Sequence, residues 1–392
     1  MVKDKVFMAD YDTINDNLVK LRENLIRAKS ISEKELCLSS ISSLNIVLNS
    51  LTNGKKVKYY DSVSKKNKTA VFDSINYISK NRDKFIDVFL DNKEYIQKST
   101  KEYIDLYADS LCDSLDIDYY QELVFSEKSV LSLVLAFFKE NFSENYDYVL
   151  EMIENKRILR ADSIECGYEG LCFNIYKSLP FIVVSTNKDK YSLSTVVTLI
   201  HELGHAIDFN NISKDYSTNV IEKYSLHSPY IEFMSRLYEK RAWEFLLKSE
   251  IDDNYVKCNL LDFHYTTYSN LLDTHVLSLL PDSLLKKDSY AKYDVEALKN
   301  LVVDDSNVNL VSDSFLFSYP DVRDNFVYGY SGLMATYFDS LIKDDFKSGI
   351  NLYNKFLANR MDKYRPELLD ELEINKDDFD KKLVKEICIF KN

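Results

Sequence analysis

Five histidines occur in the 392 residues, and two of them stand in His201-Glu202-Leu203-Gly204-His205. On a helix, residues four apart lie about 40° from each other around the axis, so both imidazoles project from one face and can share a metal ion. Glu202 falls one position on, where a carboxylate reaches a metal-held water and acts as its general base. Two imidazoles, a carboxylate and an open position for water suit Zn2+ better than harder cations. The opposing reading is a chance HExxH. It is weakened by the scarcity of His in this chain and by a motif that contains no helix breaker except Gly204, which costs a helix about 1 kcal/mol unless something packs closely there.

A catalytic zinc site needs one more protein ligand. In the extended H-E-x-x-H-x-x-G-x-x-H arrangement it would be a histidine at position 211 after a glycine at 208; the chain has Asp208 and Asn211, which excludes that class. Downstream, SPYIEFMSRLYEKRAWEF is entered by Ser228 and Pro229, a good helix start. Glu232, Ser235 and Glu239 stand there at i, i+3 and i+7 on one face. Glu232 as ligand, with Glu239 orienting a ligating histidine, is one division of labour. Surface carboxylates of an acidic protein are the other. His227 and Glu222 are weaker candidates, because neither belongs to a helix-face pattern.

Several elements must position these groups. Ser192 or Ser194 can cap a helix running through TVVTLIHELGHAIDF. Just before it, the runs LCFNIY and FIVVST are split by Lys177-Ser178-Leu179-Pro180, a hairpin signal. The chain has only 7 glycines and 5 prolines, far below ordinary usage of about 12% for the pair, so an all-β fold is excluded. All five prolines lie at or beyond Pro180, and Gly54 is the one glycine before Gly167. In that first stretch Ile14, Leu18, Leu21 and Leu25 make one helical stripe, and Leu36, Ile41, Leu44, Val47, Leu48 and Leu51 make a second, both read as bundle core. Residues 53–69, rich in Lys, read as an exposed connection.

The balance of 50 basic and 63 acidic residues gives a net charge of −13. Such a surface repels phosphate backbones and anionic lipid, which argues against nucleic acid or a membrane as primary partner. The most apolar run, Val130 to Phe138, is half the length needed to span a bilayer. With no apolar signal core near Met1, the expected location is cytoplasmic. Cys37, Cys112, Cys258 and Cys388 are isolated, and Cys166 and Cys172 lack C-x-x-C spacing, so reduced, mostly buried thiols are expected. Asn67-Lys68-Thr69 is read as a chance glycosylation match.

HELGHAID followed by E-x-x-S-x-x-x-E resembles the oligoendopeptidase F and thimet oligopeptidase family of zinc metallopeptidases. The resemblance implies Glu232 as the third zinc ligand. CGYEG (Cys166–Gly170) with the hairpin resembles the strand pair before that family's zinc helix, whose edge binds substrate backbone, which implicates Gly167 and Tyr168. NFVYGYSGL (Asn325–Leu333) resembles a tyrosine-rich segment in which Tyr330 matches the oxyanion-stabilising residue and Tyr328 a neighbouring cleft position. The match covers roughly residues 160–340. Three departures stand out: the chain is shorter than typical members, no histidine occurs between 276 and 392, and Asp208 stands where a further His is common. His264 and His275, on apolar helical patterns, are read as structural.

These readings together predict a mostly α protein. An N-terminal all-helical lobe (1–160) and a catalytic region (161–392) would flank a deep cleft, with one small antiparallel sheet before the zinc helix. The function they imply is hydrolysis of short peptides by one Zn2+ per chain, with Glu202 and Tyr330 in catalysis. The alternatives are a zinc-containing peptide-binding protein without turnover, and a zinc protease dedicated to one protein substrate.

Overall fold

The computed structural model describes residues 11–30, most of 33–44, 58–61, 66–69, 85–111, 123–162, 169–186, 191–215, 228–285, 319–359 and 374–388, apart from isolated positions within these ranges. In chain order the elements are α1 (Tyr11–Arg27), β1 (Lys58–Asp61), β2 (Lys66–Thr69), α2 (Lys93–Ser110), α3 (Glu127–Asn141), α4 (Tyr146–Glu154), β3 (Ile158–Asp162), β4 (Gly170–Phe173) and β5 (Phe181–Thr186). There follow α5 (Leu193–Asp215), α6 (Phe233–Lys248), α7 (Asp253–Leu279), α8 (Tyr319–Asp344), α9 (Phe346–Asn359) and α10 (Lys376–Ile387). The fold is mostly helical with a small sheet, as the scarcity of turn residues requires. No described helix is long and apolar enough to cross a membrane.

The chain divides into two compact units, each assembled from non-consecutive stretches. The first contains α1, β1–β5, α3–α5 and the last turns of α6 from Arg241. Its core carries the stripe Ile14, Leu18, Leu21 and Leu25 of α1, all buried, packed with Cys37, Ile41 and Leu44 and with Leu159, Ile175, Phe181 and Val183 of the sheet region. Leu36 is only half-buried, and Val47, Leu48 and Leu51 lie outside the described residues. Arg157 fastens α1 to the sheet: its guanidinium donates to Asn17 Oδ1 at 3.2 Å and sits 4.5 Å from the centre of the Phe181 ring. Burial lowers its pKa to about 10.

The expected antiparallel pair is present, with Gly170 opposite Val184 and Phe173 opposite Phe181. The sheet is nevertheless mixed and three-stranded, in the order β3-β5-β4, because β3 joins β5 in parallel. ILRAD is short and carries Arg160 and Asp162, so its pattern alone does not announce a strand. As the central strand, β5 is covered on both faces, which explains why Phe181 to Val184 are continuously apolar and all at most 2% exposed. A second correction concerns residues 53–69, where β1 and β2 pair antiparallel, Lys58 opposite Thr69 and Asp61 opposite Lys66. Tyr59, Tyr60 and Thr69 suit strands, and the abundance of Lys obscured them.

The second unit holds α2, the first half of α6, and α7–α10. Gly329 and Gly332 of α8 make its packing on α7 close: a Cβ at Gly329 would lie 3.2 Å from the backbone nitrogen of Leu271, and one at Gly332 would overlap the Thr267 side chain. His264 and His275 are buried here, as expected of structural histidines, and His275 Nδ1 lies 3.0 Å from Thr100 Oγ1. Lys240, 1% exposed, donates to Asp339 and, at 2.7 Å, to Glu386 Oε2; Lys343 reaches the same two carboxylates at 2.8 and 2.7 Å. Of the described cysteines, Cys37, Cys172, Cys258 and Cys388 are thiols outside any disulfide, with Cys37 buried and the others half-buried. Cys112 and Cys166 lie outside the described residues.

Candidate active site

The helix that carries HELGH begins where its sequence says it should. Ser192 Oγ accepts from the Thr195 backbone N–H at 3.3 Å, and Thr195 Oγ1 accepts from the Ser192 N–H at 3.2 Å. This reciprocal exchange satisfies two of the donors a helix start leaves open. From Leu193 to Asp208, only Ser194, Thr198, His201 and His205 are half-open; every other residue is buried. The spacing of four, three and four makes these one stripe along the helix. Both histidines of the motif therefore lie on the single open face of this part of the helix. Their ring centroids are 5.1 Å apart at 74°, and each offers a ring nitrogen within 4.8 Å of the other's. Two imidazoles so placed can chelate one small cation.

Glu202 is 7% exposed, just off that stripe. In front of it runs β4. A Cβ on Gly170 would lie 2.8 Å from Glu202 Oε1, 2.9 Å from its Cγ and 2.6 Å from Thr198 Cγ2. No side chain fits there, so glycine lets the strand backbone close over the carboxylate. Gly170 belongs to the CGYEG segment, but its particular duty was not predicted; a glycine next to a strand was the available signal. β4 forms one edge of the three-stranded sheet. Behind the helix, Tyr148 of α4 donates its hydroxyl to the Ala206 carbonyl at 3.2 Å, and burial raises the pKa of that phenol. Asp208 is buried at 5%.

In the second unit, Ser228 Oγ accepts from the Tyr230 N–H at 3.1 Å and opens the turn that leads into α6. Glu232 is the residue before the helix, and its carbonyl accepts from Arg236 N at 2.9 Å. Its side chain is half-buried, and the buried Ser235 hydroxyl lies 2.9 Å from Oε2 and 2.8 Å from its carbonyl oxygen. One turn along the same face, Glu239 accepts a two-pronged bond from Arg236 Nη1 at 2.9 and 2.8 Å. Arg236 is 4% exposed and stacks 3.9 Å from the Phe263 ring centre, with the Tyr328 ring at 5.8 Å. Nearby, burial raises the Asp262 pKa, with Arg236 opposing and Glu239 adding. Neither Ser235 nor Arg236 was assigned a role from sequence.

Tyr330 is 1% exposed, and its hydroxyl lies 2.6 Å from Ser99 Oγ. Ser99 also lies 2.8 Å from the Tyr95 carbonyl, which can only accept. Since a serine hydroxyl has one hydrogen, the phenol is the donor of the pair. Tyr328 is half-buried. The expected substrate contacts Gly167 and Tyr168, and the weaker ligand candidates Glu222 and His227, lie outside the described residues.

No family model matches the chain, and no curated protein matches it by sequence. Among solved structures it is similar to one named as an oligoendopeptidase F from Bacillus anthracis str. Ames, at 14% identity and a TM-score of 0.48, over 95% of this chain and 63% of that one. The chain thus spans less than two thirds of that protein's length. It is also similar to a peptidase structure from Chlamydophila abortus, at 12% identity and a TM-score of 0.44, over 97% of this chain and 79% of that one. Similarities of this size say nothing about chemistry, which has to come from the residues themselves.

Proposed function

We propose that the chain is a zinc-dependent peptidase, with His201, His205 and Glu232 holding one Zn2+ and Glu202 as general base. The observation that carries this reading is the open stripe of α5: over Leu193–Asp208 the one uncovered face bears both imidazoles, and the strand beside it is bare of side chain where Glu202 stands. The donor set fits the metal. Two imidazoles and a carboxylate, each half-buried, are the ligand types of hydrolytic zinc sites. When bound, zinc supplies Lewis acidity toward a carbonyl oxygen and acidifies water. Glu202 takes a proton from the attacking water and returns it to the departing amine. Tyr330 donates to the developing oxyanion by exchanging Ser99 for the substrate oxygen. The edge of β4 offers main-chain groups to an extended peptide, a sequence-tolerant way to bind oligopeptides. A net charge of −13 makes nucleic acid a poor competing ligand.

The test is Glu202→Gln, which keeps shape and removes the base. The expected result is unchanged zinc content with hydrolysis of a quenched peptide mixture reduced at least ~100-fold. Retained turnover in that variant refutes the assignment. One observation favours a second reading, a zinc-containing peptide-binding protein without turnover: the Tyr330 proton is committed to Ser99 in a sealed position. Wild-type protein that holds zinc and binds peptides, yet cleaves none of the mixture with or without chelator, would select it.

A further inference from the structure

A carboxylate that ligates a metal from the first residue before a helix has several side-chain torsions to fix. Glu232 is in this position, with α6 starting at Phe233. The nearest means of fixing it is Ser235, three residues on and 0% exposed, between Met234 at 1% and Arg236 at 4%. The helix pattern calls for an apolar residue at so enclosed a position. The serine hydroxyl instead points back at Glu232, 2.8 Å from its carbonyl oxygen and 2.9 Å from Oε2, and shares its one hydrogen between them. Serines inside helices commonly bond a preceding carbonyl, and that contact alone would be ordinary. The bond to Oε2 is not required by helix geometry. It ties the carboxylate plane to the helix that carries it.

We propose that Ser235 is a positioning residue: it holds Oε2 of Glu232 so that the carboxylate is presented to the metal through Oε1. This inference rests on the zinc reading above. A donor on one oxygen directs a carboxylate to ligate through the other, and single-oxygen ligation preserves the open coordination position that hydrolysis needs. Ser235 acts through Glu232 and touches neither metal nor substrate.

The experiment is a double-mutant cycle on the full chain, read as zinc affinity by competition with a fluorescent chelator. Ser235→Ala is expected to weaken zinc binding about 10-fold or more, in the range seen when the partners of metal ligands are removed. In a Glu232→Ala background the same change is expected to do nothing further, because Ser235 has no other route to the metal. Ser235→Thr, which keeps the hydroxyl, is expected to bind zinc close to wild type. Should Ser235→Ala fail to fold, as judged by circular dichroism of the metal-free protein, the isosteric pair Ser235→Thr and Ser235→Val carries the comparison. Wild-type affinity in Ser235→Ala, or an equal loss in both backgrounds, overturns the inference and leaves the ligand set standing. Wild-type protein that takes up no zinc overturns the metal reading and this inference with it.

Discussion

Gly170→Ala is the sharpest perturbation the first unit offers, because it adds one methyl group beside Glu202, the proposed general base. The new Cβ would lie 2.6 Å from Thr198 Cγ2, 2.8 Å from Glu202 Oε1 and 2.9 Å from Glu202 Cγ. All three are well inside van der Waals contact, so strand or side chains must move by up to about 1 Å to reach normal separations near 3.5–4.0 Å. Overpacking of this kind costs about 1–3 kcal/mol. A displacement near 1 Å at a reacting group costs about 100-fold in rate. The three nearest atoms belong to Thr198 and Glu202 and not to His201 or His205, so zinc affinity should remain close to wild type. The assay pairs turnover of a quenched peptide mixture with chelator competition and a thermal melt. The expected pattern is kcat down about 100-fold, a lower melting temperature and unchanged zinc binding. Adding Thr198→Ala should recover stability without recovering kcat, since the two Glu202 contacts persist. Wild-type kcat in Gly170→Ala would refute the claim that β4 sets the carboxylate. Full rescue of kcat by Thr198→Ala would show that the crowding acts through Thr198 instead.

Tyr330→Phe should lower kcat about 100-fold with zinc affinity unchanged, the loss typical of an oxyanion donor; a variant that loses only stability would remove Tyr330 from catalysis. His264 is 1% exposed, and burial, with Lys240, Arg236 and Lys343 adding to it, holds its pKa well below the usual value. The unfolded chain therefore takes up a proton below about pH 6.5 that the folded protein refuses, so stability falls as pH drops through that value, by up to ~1.4 kcal/mol per unit. His264→Gln should flatten that slope in urea titrations from pH 7 to 5, and an unchanged slope would assign it to other groups. Lys240→Met should destabilise by about 3 kcal/mol, because it removes the more buried of the two lysines that pair with buried Asp339 and Glu386. Wild-type stability in urea would show that desolvation already offsets the Lys240 bonds.

What could be read in advance was whatever depends on near neighbours in sequence. The α1 stripe, the Ser192 cap and the β4–β5 hairpin each follow from residues within a few positions of one another; the helix expected from Ser228 instead begins at Phe233, after a turn that leaves Glu232 just before it. The parallel partner β3 could not be read that way, because its pairing with β5 spans more than twenty intervening residues and its own five carry two charges. Glycine roles were half legible. A glycine announces that space is short without naming the neighbour: Gly329 and Gly332 flank Tyr330 in the sequence, yet each is bare because α7 packs against it. Ser235 illustrates the same limit for polar groups. Its place on the face of Glu232 and Glu239 was visible, whereas its burial and the aim of its hydroxyl belong to tertiary structure.

Along α5, departures from apolar packing fall at one place. Val196, Val197, Leu199, Ile200, Leu203, Ala206 and Ile207 are all buried and apolar, as a helix enclosed on most sides requires. Position 202 lies among them and carries a carboxylate, a group whose burial is costly unless it is well partnered. Position 170 lies in a strand, where glycine is disfavoured for want of a side chain to pack. Both depart from the usual choice for an enclosed helix and a strand, and the two meet at one point, with Glu202 Oε1 within 2.8 Å of where a Cβ on Gly170 would lie. Two departures from packing rules converge within a methyl group of each other beside the paired imidazoles of His201 and His205, and the proposed peptidase chemistry gives both a reason.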